Sequence, residues 1–486
     1  MPEASWRERW QQPGGPAELI RLAWPLIVSN GFMTLQLTID RVFLSRLSSA
    51  EVAAAMPAVM VFWTLFALPQ NTAGYVTTFV AQYVGADRPQ RVGAVVWQAL
   101  WFSVASGLAF LLLWPLAPGV MALGGHAEHL QELEVTFLRC LCWAALPGLI
   151  VATVSGFFAG RGDTGSVMLI NAVGLIVNAV LDYALIFGHW GFPALGIAGA
   201  GWATVVGNTA SAVLGVALMF RAKNRVPFQL LAGWRFEPEM MRRLLRFGLP
   251  NGLQWALDGV AFSLFVLLIG RLGEAELAAT TIAVTLNLLA FLPTMGFGQA
   301  VAVLVGQRLG EDRPDLAERT TWTGFQLGWL LMAGVALSYV VTPGLLLEAF
   351  RSEQDASSFE AVAVIVPVLL RFVAVYCLFD SVNLIFSFAL RGAGDTHFVT
   401  LAAFGLSWPL MVLPTVASWY YGWGLYWAWT FASAYIIVLA FVLLARFRGG
   451  RWKTMRVIEV PAVGEGQAED VAPAAAGAQV ESARIG

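Results

Sequence analysis

Long apolar runs separated by short polar ones fill the chain from end to end. Twelve of them approach or exceed the roughly 20 residues that a helix needs to cross a hydrocarbon core of about 30 Å. They cover residues 19–44, 52–83, 93–117, 133–160, 165–188, 194–221, 244–270, 275–307, 317–348, 360–390, 397–421 and 424–447. None shows the alternation of an outer-membrane strand, so the backbone in lipid must satisfy itself within helices. The pattern predicts an all-α membrane protein with twelve transmembrane helices, several long enough to tilt or to project beyond the bilayer. The first run is not uniformly apolar. It holds Pro25, Asn30, Gln36 and Asp40, and Gln36 stands one turn before Asp40, so one helical face is polar from its middle outward.

Composition supports this class. A chain that is 58% hydrophobic and 12% charged, with a mean hydropathy of +0.69, lies far from the soluble norm of about a quarter charged. That excludes an ordinary soluble enzyme and a nucleic-acid-binding domain. The net charge of −2 matters less than where Lys and Arg fall. With a cytoplasmic N-terminus, the inner segments hold Arg7, Arg9, Arg88, Arg91, Arg161, Arg221, Lys223, Arg225, Arg235, Arg308, Arg313, Arg391 and the cluster from Arg446 to Arg456. The outer side keeps Arg41, Arg46, Arg271 and Arg351. The asymmetry places both termini of this multi-pass protein on the cytoplasmic side. The expected organisation is a cytoplasmic segment over 1–18, an N-lobe over 19–221, a cytoplasmic linker over 222–243, a C-lobe over 244–447 and a disordered tail over 448–486. No cleavable signal is expected, because the first apolar run is long enough to span. Cys140, Cys142 and Cys377 lie in apolar surroundings and read as packing residues.

The two groups of six helices repeat one another. Pro25 answers Pro250, and Arg46-Leu47 before Glu51 answers Arg271-Leu272 before Glu276, each at an offset of 225 residues. The offset recurs for Gly85-Ala86-Asp87-Arg88-Pro89 against Gly310-Glu311-Asp312-Arg313-Pro314, which follow Gln82 and Gln307. After the fourth helix it becomes 232, where Gly162-Asp163-Thr164 matches Gly394-Asp395-Thr396. An even helix count preserves orientation, so the lobes form a parallel repeat about an axis along the membrane normal. That geometry leaves a central cleft, whose default use is transport by alternating access. The Gly-Asp motifs themselves read as tight turns, with Asp capping the next helix.

Four carboxylates fall inside the spans: Asp40, Asp182, Asp258 and Asp380. Each costs about 3 kcal/mol or more in lipid unless it is protonated, paired or facing water. Counted at 1.5 Å per residue from the nearest cytoplasmic charge, Asp40 and Asp182 both lie about 28 Å deep, and Asp258 and Asp380 about 16–18 Å deep. The acids thus form an outer pair in the N-lobe and a deeper pair in the C-lobe. Each has an amide on its own face: Gln36 for Asp40, Asn178 for Asp182, Gln254 for Asp258 and Asn383 for Asp380. Carboxylate plus amide oxygen suits Na⁺, and the carboxyl alone suits a proton.

These residues resemble the multidrug and toxic compound extrusion (MATE) family of antiporters over about residues 15–450. The resemblance rests on the Pro25-to-Asp40 helix, on Asn178-x-x-x-Asp182 followed by Gly191-Phe192-Pro193-Ala194-Leu195-Gly196-Ile197 and Gly201-Trp202-Ala203-Thr204, and on Gly248-Leu249-Pro250 with an acid eight residues on. It implies an N-lobe cation site at Asp40, Asn178 and Asp182, with Thr204 as a further member and Na⁺ or H⁺ as the ion. It also implies a second, substrate or cation, site at Asp258 and Asp380, with Gln254 and Asn383 beside them. Asp258 stands where the family usually has Glu, and Thr280-Thr281 where one branch often has His-Gln. Pro25 is the expected hinge, since proline removes a helix hydrogen bond.

The implied function is secondary active export of cationic, amphiphilic compounds, as a monomer in the bilayer, driven by inward Na⁺ or H⁺ and needing no cofactor. The rival is a flippase of the same superfamily for lipid-linked oligosaccharides or peptidoglycan precursors. Phosphate-bearing substrates call for Arg and Lys in the cleft, whereas the intramembrane charges here are acidic; Arg139 and Arg371 are the exceptions. A passive channel would collapse gradients rather than build them. No Ser/His or His-Glu-x-x-His arrangement within the spans points to an enzyme.

Overall fold

In the computed structural model, which describes residues 10–348 and 356–459, twelve helices are long and apolar enough to cross a membrane. They are α1 Pro16–Leu47, α2 Ser49–Gly85, α3 Pro89–Phe110, α4 Glu128–Gly160, α5 Thr164–Phe187, α6 Ile197–Met219, α7 Pro238–Gly270, α8 Glu274–Gly310, α9 Pro314–Val341, α10 Val362–Ala393, α11 Thr396–Tyr420 and α12 Leu425–Arg448. There is no strand among the described residues. The fold is an all-α, multi-pass membrane protein of two six-helix lobes related by a parallel repeat.

Local chemistry sets several helix ends. Pro16, Pro89, Pro238 and Pro314 open helices at a position whose N–H has no intrahelical partner. Ser48 accepts the Glu51 N–H at 3.2 Å, starting α2 directly after α1. α7 begins at Pro238, within the stretch read as linker from sequence. The part of the linker before it packs on α3, where Trp97 donates to the Leu230 carbonyl and Gln98 to that of Arg235.

The repeated turns do not all use their aspartates as caps. Asp163 does cap α5, accepting the Ser166 N–H at 3.2 Å. Its counterpart Asp395 instead receives the fork of Arg446 at 2.7 and 3.3 Å. Asp87 and Asp312 sit at φ 53° and 54°, closing the preceding helix in the left-handed conformation that Asp tolerates better than most residues. Near-identical backbone angles at residues 225 apart are the repeat made visible.

The lobes share a core at one end only. One apolar cluster joins Val76–Val80 and Tyr83 of α2, Ala300–Leu309 of α8, and Ile385–Ala393 of α10. This end carries Arg88, Arg161, Arg235, Arg308 and Arg446, and is called the basic end below. Two further clusters lie toward the other end, one within the N-lobe around Phe62, Phe66 and Leu138, the other within the C-lobe around Phe265, Met332 and Trp429. The lobes are therefore fused at the basic end and separate at the opposite one.

Glycines permit the fusion. A Cβ on Gly85 would overlap the Gln307 carbonyl oxygen, and one on Gly310 would overlap that of Gln82. The two contacts are the same contact exchanged between repeats, so the pseudo-twofold axis passes through this seam. Further cross-lobe bonds surround it: Tyr75 to the Arg391 carbonyl at 2.7 Å, Gln82 to that of Gly392 at 3.1 Å, Gln307 to that of Gly160 at 2.9 Å and Asn251 to that of Asn71 at 2.9 Å.

Residues 449–459, assigned from sequence to a disordered tail, are instead packed against the basic end. Trp452 is buried and stacks on Phe447, with ring centroids 4.6 Å apart, and Val457 and Ile458 are buried beyond it. Three apolar side chains within a polar stretch supply the anchorage that the absence of helical period conceals. The rest of the tail, and residues 1–9 of the N-terminal segment, lie outside the described residues.

Candidate functional site

Close helix packing builds the N-lobe site. A Cβ on Gly207 of α6 would fall 2.9 Å from the Gly174 carbonyl and 3.0 Å from Asn178 Cβ. The absence of side chains there lets α6 lie directly on α5. The Thr204 N–H then reaches the Asn178 side-chain oxygen at 3.3 Å, while the Asn178 nitrogen donates to Asp182 Oδ2 at 3.1 Å and to Asp40 Oδ1 at 3.3 Å. This is the amide orientation that satisfies both ends of Asn178. The Thr204 hydroxyl donates to the Ala200 carbonyl at 3.1 Å, which leaves its lone pairs available.

Asp40, Asn178 and Asp182 are all buried, and the Asp40 and Asp182 carboxyls are within hydrogen-bonding reach of each other. Two carboxylates in contact repel strongly in a low-dielectric site, so a proton or a cation between them is the stable arrangement. Asp182 Oδ1 is buried without a donor, an acceptor that a proton or Na⁺ would satisfy. Arg41, next in sequence, contacts the Met56 sulfur at 3.1 Å. Its charge nonetheless still acts on Asp40.

The C-lobe acids are arranged differently. Gln254 Nε2 is 3.5 Å from Asp258 Oδ2, the outer limit of a hydrogen bond, and Asn383 bonds Asp380. Asp258 and Asp380 both lie near Tyr435 of α12, which feels the charge of each.

Sequence reasoning missed Arg391. It sits in the last turn of α10 and served there as a surface marker, yet it is only 7% exposed. Its guanidinium lies between the Trp255 and Phe388 rings, 5.5 and 5.3 Å from their centroids, with Asp258 as its charge partner. The depth estimated for Asp380 from Arg391 therefore started from a buried residue. The available signal was the aromatic pair: Phe388 is one turn from Arg391 on the same helix, and Trp255 one turn from Asp258. Arg391 thus partly compensates Asp258 in the C-lobe, as Arg41 does Asp40 in the N-lobe, where two acids share the site.

Pro25 lies inside α1 where that helix passes between the lobes. One turn on, Ser29 accepts from Asn171 of α5 at 2.5 Å, and Asn30 donates to Gln299 of α8 at 3.3 Å. Arg139, weighed above as a mark of phosphate-bearing substrates, lies over Trp114, 4.5 Å from its centroid, and donates to the Trp114 carbonyl. Among the described residues no group of three or more His, Cys, Asp or Glu could hold a metal. A Na⁺ at the N-lobe site would take its remaining ligands from amide, hydroxyl or backbone oxygen.

Two repeats fused at one end, with buried acids inside the spans, define a multi-pass membrane protein of the transporter type. The MatE family profile matches residues 25–184 and 250–416, one stretch in each lobe. The chain belongs to the MatE family. It is 27% identical over 435 residues to a probable multidrug resistance protein NorM of Brucella suis biovar 1 (strain 1330), covering 88% of this chain and 92% of that one. To a probable multidrug resistance protein NorM of Xanthomonas axonopodis pv. citri (strain 306) it is 30% identical over 383 residues, covering 77% and 81%. Its fold resembles a solved outward-facing conformation of a multidrug resistance MATE family transporter of the MOP superfamily, with TM-score 0.82 and 19% identity over 93% of this chain and 99% of that one. A MATE structure in the bent conformation is as similar, with TM-score 0.82 and 20% identity over 92% and 98%.

Proposed function

We propose that this protein is a multidrug exporter: a secondary active antiporter that expels cationic amphiphiles in exchange for inward H⁺ or Na⁺. The observation that carries this reading is the buried Asp40–Asn178–Asp182 cluster, two acids within hydrogen-bonding reach of each other with one nearby arginine, Arg41, which together call for a cation. The NorM names of the relatives support multidrug efflux, and the separate cores of the two lobes support alternating access.

In this mechanism the cation enters from the open side and binds between Asp40 and Asp182, with Asn178 fixing both carboxyls. Neutralising the pair removes their repulsion and lets α1 and α5 draw together. Pro25, which leaves the Arg21 carbonyl without its helical donor, is the point at which α1 bends. Substrate cations are held in the C-lobe by Asp258 and Asp380, with Gln254 and Asn383 orienting them and Arg391 limiting how tightly they are retained. The protein acts as a monomer in the bacterial inner membrane, with its basic end and both termini in the cytoplasm. The acidic cleft disfavours a phosphate-bearing lipid-linked substrate.

The test is efflux of a fluorescent cationic dye from proteoliposomes with Na⁺ and pH gradients imposed separately. Dye movement against its own gradient under one of the two supports the reading and names the ion. Movement only down its own gradient under both overturns it.

A further inference from the structure

The packed C-terminal segment crosses the seam between the lobes. Its root is in the C-lobe: Trp452 Nε1 donates to the Phe447 carbonyl at 2.8 Å, Lys453 pairs with Glu318 of α9 at 2.5 Å, and Arg456 pairs with Asp312 at 2.8 Å. Its tip reaches the N-lobe. The Val457 N–H donates to Gln82 Oε1 at 2.8 Å, and the Tyr83 hydroxyl donates to Glu459 Oε2 at 2.7 Å. Arg88 donates to the Glu459 carbonyl at 2.9 Å, and the Glu459 carboxylate lies 3.6 Å from Arg91 and 3.3 Å from Arg243 of α7.

We propose that residues 449–459 form a latch that holds the basic end shut. Gln82 makes the argument concrete. Its oxygen receives the segment while its nitrogen donates to the Gly392 carbonyl of the opposite lobe, so one side chain joins N-lobe, C-lobe and latch. Parting the lobes here removes Tyr83, Arg88 and Gln82 from a segment whose root stays with α12. The Glu459 contacts to Tyr83, Arg88 and Arg91 must then break, while Arg91 keeps Glu237 and Glu459 keeps Arg243 of α7. Val457 is wedged against Gly394 so closely that a Cβ there would lie 2.8 Å from Val457 Cγ1, which fixes the crossing point at the repeated Gly-Asp-Thr turn. The latch thus biases the protein toward the state open at the far end, and whatever draws Glu459 away would release the basic end.

The test uses Ala81→Cys as a reporter. Ala81 is fully buried in α2, and its Cβ faces Gly306 of α8 across the seam; the native cysteines Cys140, Cys142 and Cys377 are buried elsewhere. In the full-length protein, maleimide labelling of the reporter should accelerate at least fivefold with Glu459→Ala, and further when the chain is ended after Arg456. Glu459→Asp should label at the parent rate. Equal rates in Glu459→Ala and parent, within twofold, overturn the proposal. As a second arm, disulfide formation in Tyr83→Cys/Glu459→Cys should stop dye efflux until reductant is added; efflux undiminished by the disulfide also overturns it. Labelling reads closure whether or not the protein exports. A variant that fails to export even when reduced, while its labelling obeys the pattern above, upholds the latch and counts against the proposed function instead.

Discussion

Asp40 of α1 and Asp182 of α5 share one donor, the Asn178 side-chain nitrogen, at 3.3 and 3.1 Å. A single amide can orient two carboxyls but cannot neutralise them. Asp40→Asn should therefore retain the fold and lose ion-coupled efflux. Loss of a hydrogen bond to a charged group, worth about 1.5–3 kcal/mol, corresponds to about a tenfold or larger fall in cation affinity. Asp182→Asn should behave alike, and the double variant should be little worse than either, because the pair acts as a unit. Proteoliposome efflux at saturating and limiting ion gradients checks this; additive losses would argue against a shared site.

Gly85 and Gly310 should be intolerant for the same reason. Alanine at either overlaps backbone of the opposite lobe and should destabilise the closed seam by about 1–3 kcal/mol, the usual cost of overpacking. Gly334 of α9 has open space around its Cα, so Gly334→Ala should be neutral or stabilise by about 0.5–1 kcal/mol. Thermal unfolding together with spin-label distances across the basic end separates the three: the first two should lengthen that distance and Gly334→Ala should not.

Removing Arg391 should expose the charge it answers. Removing the guanidinium leaves the buried Asp258 charge less compensated. Arg391→Gln should lower the melting temperature, and a lipophilic cation such as tetraphenylphosphonium should restore more of it than in the parent, by taking the place of the lost guanidinium beside Asp258. A variant that melts lower with no added protection by the cation would separate Arg391 from the cation path.

The basic end should resist mild acid. Burial alone would raise the Asp163 carboxyl, but Ser166 and Arg161 more than offset it and hold the group below the usual carboxylate range. Glu459 is likewise lowered: burial works against ionisation, and the Tyr83 hydroxyl with Arg243 and Arg91 outweighs it. A carboxyl depressed in the folded state contributes stability above its unfolded pKa of about 4, and that contribution is lost as pH falls through the lower folded value. Both contacts should thus be fully present at neutral pH and fail only below about pH 4. Asp163→Ala should cost roughly 1 kcal/mol, the typical worth of an N-cap. Thermal melts between neutral pH and pH 3 should show the parent losing its advantage over Asp163→Ala and Glu459→Ala only at the acid end.

The sequence by itself determined what depends on composition and spacing along one chain. Twelve apolar runs dictate twelve helices, since a backbone in lipid has few other ways to satisfy its N–H and C=O groups. The 225-residue offset between Pro25 and Pro250 carries the repeat, and i,i+4 spacing places Asn178 beside Asp182. What lay between helices was decided only by the tertiary structure. That Asp40 meets Asp182 depends on α1 packing on α5, and the Thr204–Asn178 contact on glycines that let α6 approach. The symmetry mate of Asp40 is Phe265, so the repeat alone could not locate the pair. Arg391 looked like a loop charge because charge and spacing do not report that α10 carries it inward beneath two aromatic rings. The segment after Arg448 looked like tail because its order comes from partners hundreds of residues away, Tyr83 and Gln82 among them. Helices in a membrane are dictated by local chemistry; the sites between them are made by packing, which brings distant residues together.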